Sequence, residues 1–198
     1  MKKSTLLLCC GMSGSGKSYF INNTLPNGLF YNLKSATTRP MRQGESEESP
    51  YFFRDEAFFT NTPMATHLFV NKEFWKPGQL KWLYGIPEFE IYNHIGQNMT
   101  YDVIEPKYAC ELIDWFCKNK LNTKYNFRVA WFLPPPNSMQ IVAERANMVN
   151  DTAVRQKNTC TAYDLLNAGL HVDYILCPIL GQYDSRLTRY IYNMQHTK

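Results

Sequence analysis

The sequence lacks the features that mark several special classes of protein. Its six cysteines form no C-x-x-C pair and no zinc-ligand spacing, and its four histidines are scattered. No apolar run is long enough to cross a bilayer, and the run after Met1-Lys2-Lys3 is too short for the apolar core of a signal peptide. The net charge of +4 is too small to indicate nucleic acid as the main partner. We therefore expect a cytoplasmic protein with free thiols and with no membrane or nucleic-acid partner.

The 198 residues are enough for one domain with a full core. Apolar runs alternate with helical patterns, which predicts an α/β fold with three layers around a parallel sheet. Strands are predicted at residues 5–10, 29–33, 68–70, 82–84, 99–104, 127–133 and 172–177. Helices are predicted at 17–23, shortly after Asp55, and at 87–95, 106–120, 137–145, 151–167 and 183–195. Residues 35–50 show no periodicity and are predicted to form an irregular functional loop.

The segment from Gly11 to Ser18, G-M-S-G-S-G-K-S, matches the phosphate-binding P-loop pattern G-x-x-x-x-G-K-[ST]. Its glycines allow a tight turn whose N–H groups point at a polyphosphate, and the following helix directs its N-terminal dipole at the same anion. Lys17 can reach the β- and γ-phosphates, and the Ser18 hydroxyl can join the ligands of Mg²⁺. The predicted triphosphate-binding residues are Gly11, Ser13, Gly14, Ser15, Gly16, Lys17 and Ser18, with Ser18 as the metal ligand. The alternative is a flexible Gly/Ser turn.

A second phosphate site is predicted from Arg39, Arg42 and Tyr51. The two arginines lie three residues apart, and each can offer a bidentate fork to phosphate oxygens. The Tyr51 hydroxyl can add another donor. The alternative is a solvated basic loop whose charge is balanced by Glu45, Glu47 and Glu48.

These residues carry a family resemblance. T-T-R-P-x-R-x-G-E, followed by a tyrosine nine residues after the second arginine, resembles the signature of guanylate kinases, and G-x-S-G-S-G-K-S is similar to their P-loop. The resemblance implies that Ser35, Arg39, Arg42 and Tyr51 hold the phosphate of an acceptor GMP.

The resemblance is looser between Phe53 and Met99. Tyr84 with Gly85 resembles a Tyr-Gly pair of the family, which implies that Tyr84 also contacts the acceptor phosphate. The family usually has Ser or Thr after this glycine, whereas Ile86 stands here. Glu73 is the nearest candidate for the family's guanine-binding glutamate, although another alignment puts Val70 at that position.

The remaining site candidates are one aspartate and two arginines. Asp102, a candidate substrate-binding residue, lies near the end of a predicted strand. A carboxylate there, close to the P-loop, can organise Mg²⁺ or its waters, or can instead cap the next helix. The matching strand of the family carries two aspartates at alternate positions. Asp102 matches the first, and Ile104 stands in place of the second. Arg145 and Arg155 flank a segment that resembles the family's lid, which implies contacts with the transferring phosphoryl group or the ATP base. Surface ion pairs are the alternative for both arginines.

The resemblance implies a P-loop NTPase fold with a small inserted nucleoside-monophosphate-binding (NMP-binding) region and a lid. The core would comprise about 1–34, 99–145 and 156–198, the NMP-binding region about 35–98, and the lid about 145–155. A monomer or homodimer would transfer the γ-phosphoryl group of ATP to GMP or dGMP with Mg²⁺, and Lys17, Arg145 and Arg155 would be catalytic. The alternatives are a deoxynucleoside monophosphate kinase for another or modified base, and a non-catalytic binding module.

Overall fold

The computed structural model describes residues 3–12, 14–25, 30–42, 44–46, 51–61, 71–76, 79–94, 99–137, 167 and 169–196. The chain divides into two compact units. The first comprises Met1–Tyr31 with Asn98–Lys198, and the second comprises Asn32–Gln97.

A five-stranded sheet forms the centre of the first unit. Its strands are β1 (Ser4–Gly11), β2 (Tyr31–Asn32), β7 (Met99–Val103), β8 (Tyr125–Phe132) and β9 (Tyr174–Leu176), in the order β2-β7-β1-β8-β9. Strand β1 pairs in parallel with both β7 and β8, and β8 pairs in parallel with β9. Every residue of β1 before Gly11 is buried, as expected for a central parallel strand.

Helices pack on both faces of this sheet. They are α1 (Lys17–Thr24), α4 (Pro106–Lys118) and α5 (Ser185–His196). Phe20 of α1 and Leu187 of α5 belong to one buried cluster with Leu7 of β1. Phe116 of α4 packs edge-on against Phe127 of β8, with 5.1 Å between the ring centroids. Since Phe127 is level with Leu6 in the β1–β8 pairing, it lies on the opposite face from Leu7, and the unit has three layers.

The second unit contains a four-stranded mixed sheet. Its strands are β3 (Ser35–Thr37), β4 (Tyr51–Phe53), β5 (Asn71–Lys76) and β6 (Gln79–Gly85), in the order β4-β3-β6-β5. The β3–β4 pair is parallel, and β6 is antiparallel to both β3 and β5. The short helices α2 (Glu56–Asn61) and α3 (Glu88–Asn93) complete it. Glu90 of α3 is buried and accepts the backbone N–H of Lys34 at 2.9 Å.

The α/β class and the parallel sheet predicted from the sequence are confirmed. The prediction of an irregular loop over 35–50 is wrong at its start, because residues 35–37 form β3. Strands β4 and β5 were not predicted. The predicted strand at 68–70 and the predicted helix at 137–145 beyond its first residue lie outside the described residues, as does all of the predicted helix at 151–167 except Asn167. Among the helices that the structure describes, none has the length and apolar character to cross a membrane.

Candidate functional site

The P-loop joins the end of β1 to the start of α1, as predicted. Gly16 caps the helix with φ 89° and ψ 13°, a left-handed conformation that glycine adopts without steric cost. The Phe20 N–H donates to the Gly16 carbonyl at 2.9 Å, which closes the first turn. The first N–H groups of a helix have no acceptor within it, and no acidic residue lies in this turn. The N-terminal end of α1 is therefore suited to binding an anion.

Gly11 lies against β8 with no room for a side chain. A Cβ atom on Gly11 would stand 2.6 Å from the Phe132 carbonyl oxygen and 2.9 Å from the Phe132 Cβ. The backbone φ of 152° is also one that residues with side chains rarely adopt. Because residue 11 is glycine, the backbone at the end of β1 can lie in close contact with Phe132 of the neighbouring strand β8.

We expect Gly11→Ala to destabilise the protein by about 3 kcal/mol, because a backbone oxygen of a packed strand must move. Gly181→Ala is the matched control in the same unit, since Gly181 has φ 67° but nothing within 4 Å of an added Cβ. The free energy of unfolding of the control should fall by only about 1 kcal/mol, the cost of the left-handed conformation for alanine. Urea unfolding of the three proteins measures both values, and equal losses would contradict the close contact described for Gly11.

Lys17 holds its ammonium group over the loop. Its Nζ donates to the carbonyls of Gly11 and Met12, both at 2.7 Å, and lies 3.5 Å from the Ser15 Oγ. Ser15 is fully buried, whereas Ser18 is exposed on the first turn of α1. The loop thus fixes a positive charge beside the helix N-terminus and leaves the Ser18 hydroxyl accessible. Ser13 lies outside the described residues.

Asp102 lies in the strand next to β1. The β1–β7 pairing places it level with Leu8, three residues before Gly11, so both strands run toward the same edge of the sheet. The Asp102 side chain is not among those described. The described residues contain no group of three or more His, Cys, Asp or Glu side chains that could hold a metal ion.

In the second unit, Arg39 is the centre of a compact group that we call the Arg39 cluster: Arg39, Glu45, Tyr51, Phe53 and Tyr84. The Arg39 side chain is 3% exposed and donates from Nη1 and Nη2 to the two Glu45 carboxylate oxygens, at 2.9 and 2.8 Å. Its Cζ lies 5.2 Å from the ring centroid of Tyr51 and 5.4 Å from that of Phe53. The guanidinium is therefore held by one carboxylate and two aromatic faces.

The two charges of this ion pair stabilise each other. Burial alone would lower the pKa of Arg39, but the hydrogen bonds and charge of Glu45 raise it above its ordinary value. Burial likewise opposes ionisation of Glu45, but the hydrogen bonds from Arg39 and from the backbone of Arg42 hold the pKa of this carboxyl below its ordinary value. Both groups are therefore charged at neutral pH.

Strand pairing brings the predicted acceptor residues together. Ser35 of β3 is level with Tyr51 of β4, and Thr37 of β3 is level with Tyr84 of β6. The Tyr51 and Tyr84 rings meet edge-on, with 6.2 Å between their centroids. Two phenols thus stand beside one guanidinium, although they are 33 residues apart in sequence.

The segment between β3 and Arg39 is fixed by side-chain hydroxyls. The Thr37 Oγ1 accepts the Arg39 N–H at 3.1 Å, and the Thr38 Oγ1 accepts the Leu83 N–H at 2.9 Å. The Thr38 N–H in turn donates to the Leu83 carbonyl at 3.1 Å. These bonds attach the segment to β6, so the position of Arg39 is set by the sheet.

The structure does not place every predicted acceptor residue in this cluster. Arg42 is exposed, and its backbone N–H donates to the Glu45 carboxylate at 2.7 Å. Glu73 lies in β5 level with Trp82 of β6, and its side chain is not described. Ile86 is buried at 3% exposure. Arg145 and Arg155 fall outside the described part of the chain.

The sequence gives Glu45 as a possible counter-charge and as the last residue of the T-T-R-P-x-R-x-G-E motif, but it does not predict the ion pair with Arg39. Its position six residues after Arg39 and three after Arg42 was the available signal. At that separation a short loop can fold back, so that the Glu45 carboxylate contacts the Arg39 side chain and the Arg42 N–H.

The comparisons with known proteins support the fold. No protein-family model and no curated protein matches the sequence. Among the solved structures that match is a guanylate kinase from Anaplasma phagocytophilum, 17% identical to this chain. The match covers 100% of this chain and 89% of that one, with a TM-score of 0.57. The chain therefore has the mixed α/β fold of that guanylate kinase, with a parallel sheet and flanking helices.

Proposed function

We propose that this chain is a nucleoside monophosphate kinase that transfers the γ-phosphoryl group of ATP to GMP or dGMP. The observation that carries the proposal is that a chain with a P-loop motif also holds a nearly buried arginine, Arg39, against the ring of Tyr51. An arginine beside a phenol has the chemistry to bind a second phosphate. A nucleotide hydrolase needs one phosphate site, whereas a kinase acting on a phosphate acceptor needs two. The guanylate kinase fold of the solved neighbour supports the same function.

On the donor side, the backbone of residues 11–16 and the N-terminus of α1 would hold the triphosphate. The Lys17 ammonium would exchange the carbonyls of Gly11 and Met12 for phosphate oxygens. Mg²⁺, when bound, would supply charge neutralisation at the β- and γ-phosphates. Ser18 would offer its hydroxyl to the metal ion, and Asp102 would orient the metal ion or its bound waters.

On the acceptor side, Arg39, Tyr51 and Tyr84 would fix the monophosphate, with Arg42 and Ser35 as further donors. The reaction then needs no covalent intermediate, because an oxygen of the acceptor phosphate attacks the γ-phosphorus in line. Lys17 would stabilise the charge that develops during transfer, and closure of a lid over both nucleotides would exclude water as a competing acceptor.

The proposal also divides the chain into functional regions, parts of which lie outside the described residues. Residues 35–98 would form the NMP-binding region, with Glu73 as the candidate reader of the guanine base. Residues 145–155 would form a lid whose Arg145 and Arg155 approach the transferring group. Residues 1–34, 99–145 and 156–198 would form the core.

A panel of ribo- and deoxyribonucleoside monophosphates tests the function. With ATP and Mg²⁺ present, ADP release should depend on the added monophosphate, and GMP or dGMP should exceed the others in kcat/KM by at least about tenfold, or 1.4 kcal/mol. If no monophosphate stimulated ADP release, the kinase proposal would fail.

A second acceptor remains a candidate because of Ile86. A buried aliphatic side chain at this position has no hydroxyl to offer to a base. This observation favours a deoxynucleoside monophosphate kinase for a different or modified base. If the same panel showed a preference for such a base, that base would replace guanine in the proposal, and the proposed phosphoryl transfer would stand.

A further inference from the structure

We propose that a cleft along α5 binds a free nucleoside phosphate. The inference goes beyond the proposed function, because none of the lining residues belongs to the P-loop or to the Arg39 cluster. The cleft has a volume of about 460 Å³, which is in the range of small-ligand sites. It is lined by Tyr183, Ser185, Thr188, Arg189 and Tyr192.

The sequence of α5 places the polar lining residues in one row. Leu187 and Ile191 are buried in the core of the first unit and fix the inner face of the helix. The four lining residues within α5 stand at positions i, i+3, i+4 and i+7, so they share one face of the helix. The helix contains two arginines and neither Asp nor Glu. This face therefore presents hydroxyl groups and positive charge.

Arg189 gives the cleft its positive charge. Among the residues that the structure describes, no carboxylate lies within ion-pair distance of its guanidinium. Arg186 differs, because its Nε and Nη2 donate to the two Asp184 carboxylate oxygens at 3.1 and 2.7 Å. Hydrogen bonds from Arg186 lower the pKa of Asp184 to about 2, so this carboxylate is ionised and already compensated. The planar fork of Arg189 suits two oxygens of a phosphate group.

Two exposed tyrosines supply ring surface on the same cleft. The Tyr183 ring packs against that of the buried Phe20, with 6.2 Å between the centroids, so the core supports one of its sides. The Tyr192 ring is exposed on α5. Exposed aromatic rings stack on nucleobases with little regard to the identity of the base. An inorganic anion would not use the rings, and an apolar ligand would not use the guanidinium, whereas a nucleoside phosphate uses both.

The experiment titrates UMP, which is neither the proposed donor nor the proposed acceptor, into the full chain. The Arg189 Nε–H resonance in NMR, assigned by its loss in Arg189→Gln, reports on this cleft alone. UMP should shift this resonance to saturation, and inorganic phosphate should bind about tenfold more weakly because it lacks a base to stack. Tyr192→Leu should weaken the UMP-dependent shift about tenfold for the same reason.

Calorimetry provides the control. Arg189→Gln should weaken UMP binding at least about tenfold, the loss of a charge-assisted contact. Lys107→Gln removes the same charge from α4, where Lys107 is 74% exposed, and should leave UMP binding unchanged. Arg39→Lys should leave the Arg189 shift unchanged, since Arg39 belongs to the second unit.

An Arg189 resonance that does not respond to UMP would overturn the inference. An equal response to UMP and to inorganic phosphate would also overturn it, because the cleft would then bind anions without regard to the base. Binding of a uridylate trinucleotide more than about tenfold tighter than UMP would assign the cleft to single-stranded nucleic acid instead of a free nucleotide. Absence of kinase activity would refute the proposed function and leave this site unaffected.

Discussion

Under the proposed function, Lys17→Ala should lower kcat for phosphoryl transfer to GMP by about 100- to 1,000-fold, the range for removing one donor that stabilises developing charge. The Lys17 ammonium is the charged group that the structure places over the loop, 2.7 Å from the carbonyls of Gly11 and Met12. The loss should appear mainly in kcat, because charge on the transferring oxygens grows in the transition state. ADP release at saturating ATP and GMP measures it.

Lys107→Ala is the control for this prediction. Lys107 has the same charge, is 74% exposed on α4, and has Glu111 at 4.0 Å. Its removal should leave kcat unchanged. Because Lys17 also bonds the loop, the thermal midpoint and ATP binding of Lys17→Ala must be measured, and a folded variant that binds ATP with wild-type kcat would remove Lys17 from the mechanism.

Arg39→Lys should raise the dissociation constant for the acceptor monophosphate by about 10- to 150-fold, or 1.5–3 kcal/mol, the loss for charge-assisted hydrogen bonds. Lysine keeps the positive charge beside Glu45 but lacks a planar fork, so it cannot bond the carboxylate and a phosphate in the same plane. The affinity for ATP should not change. Calorimetry with GMP and with ATP measures the two effects separately.

Arg54→Lys is the matched control in the same unit. The Arg54 guanidinium is exposed and stacks on the rings of Phe52 and Phe58, with its Cζ 5.5 and 5.8 Å from their centroids. Lysine can keep part of that contact, so GMP binding should hardly change. Equal losses for the two variants would indicate a general charge effect and would contradict a specific role for Arg39.

The sequence predicts the described strands and helices of the first unit well because their signals are local. A continuous apolar run such as Leu6–Cys10 favours a central strand, and the P-loop pattern fixes the turn that follows it. The helix beginning at Pro106 was predicted from an apolar stripe and a proline that starts a helix, and the structure confirms it.

Strands β3 and β4 of the second unit were not predicted, because they have three residues each and depend on pairing. Strand β3 has three residues, and its hydrogen bonds go to β4 and β6, which are distant in sequence. No period can be read from three residues, so the sequence pattern predicts a loop there. The motif still identified Arg39 and Tyr51 as candidates, but not the ion pair with Glu45, because pairing inside an irregular loop leaves no periodic signal.

The contacts that hold Arg39 in the folded protein have a thermodynamic consequence. A free arginine side chain carries about 2 kcal/mol of rotamer entropy, which a ligand must remove when it orders the side chain. Arg39 is ordered by Glu45 and two rings in the folded protein itself, so this entropy is lost on folding and not on binding. Acceptor binding should therefore carry a smaller entropic penalty than the same contacts made by a surface arginine.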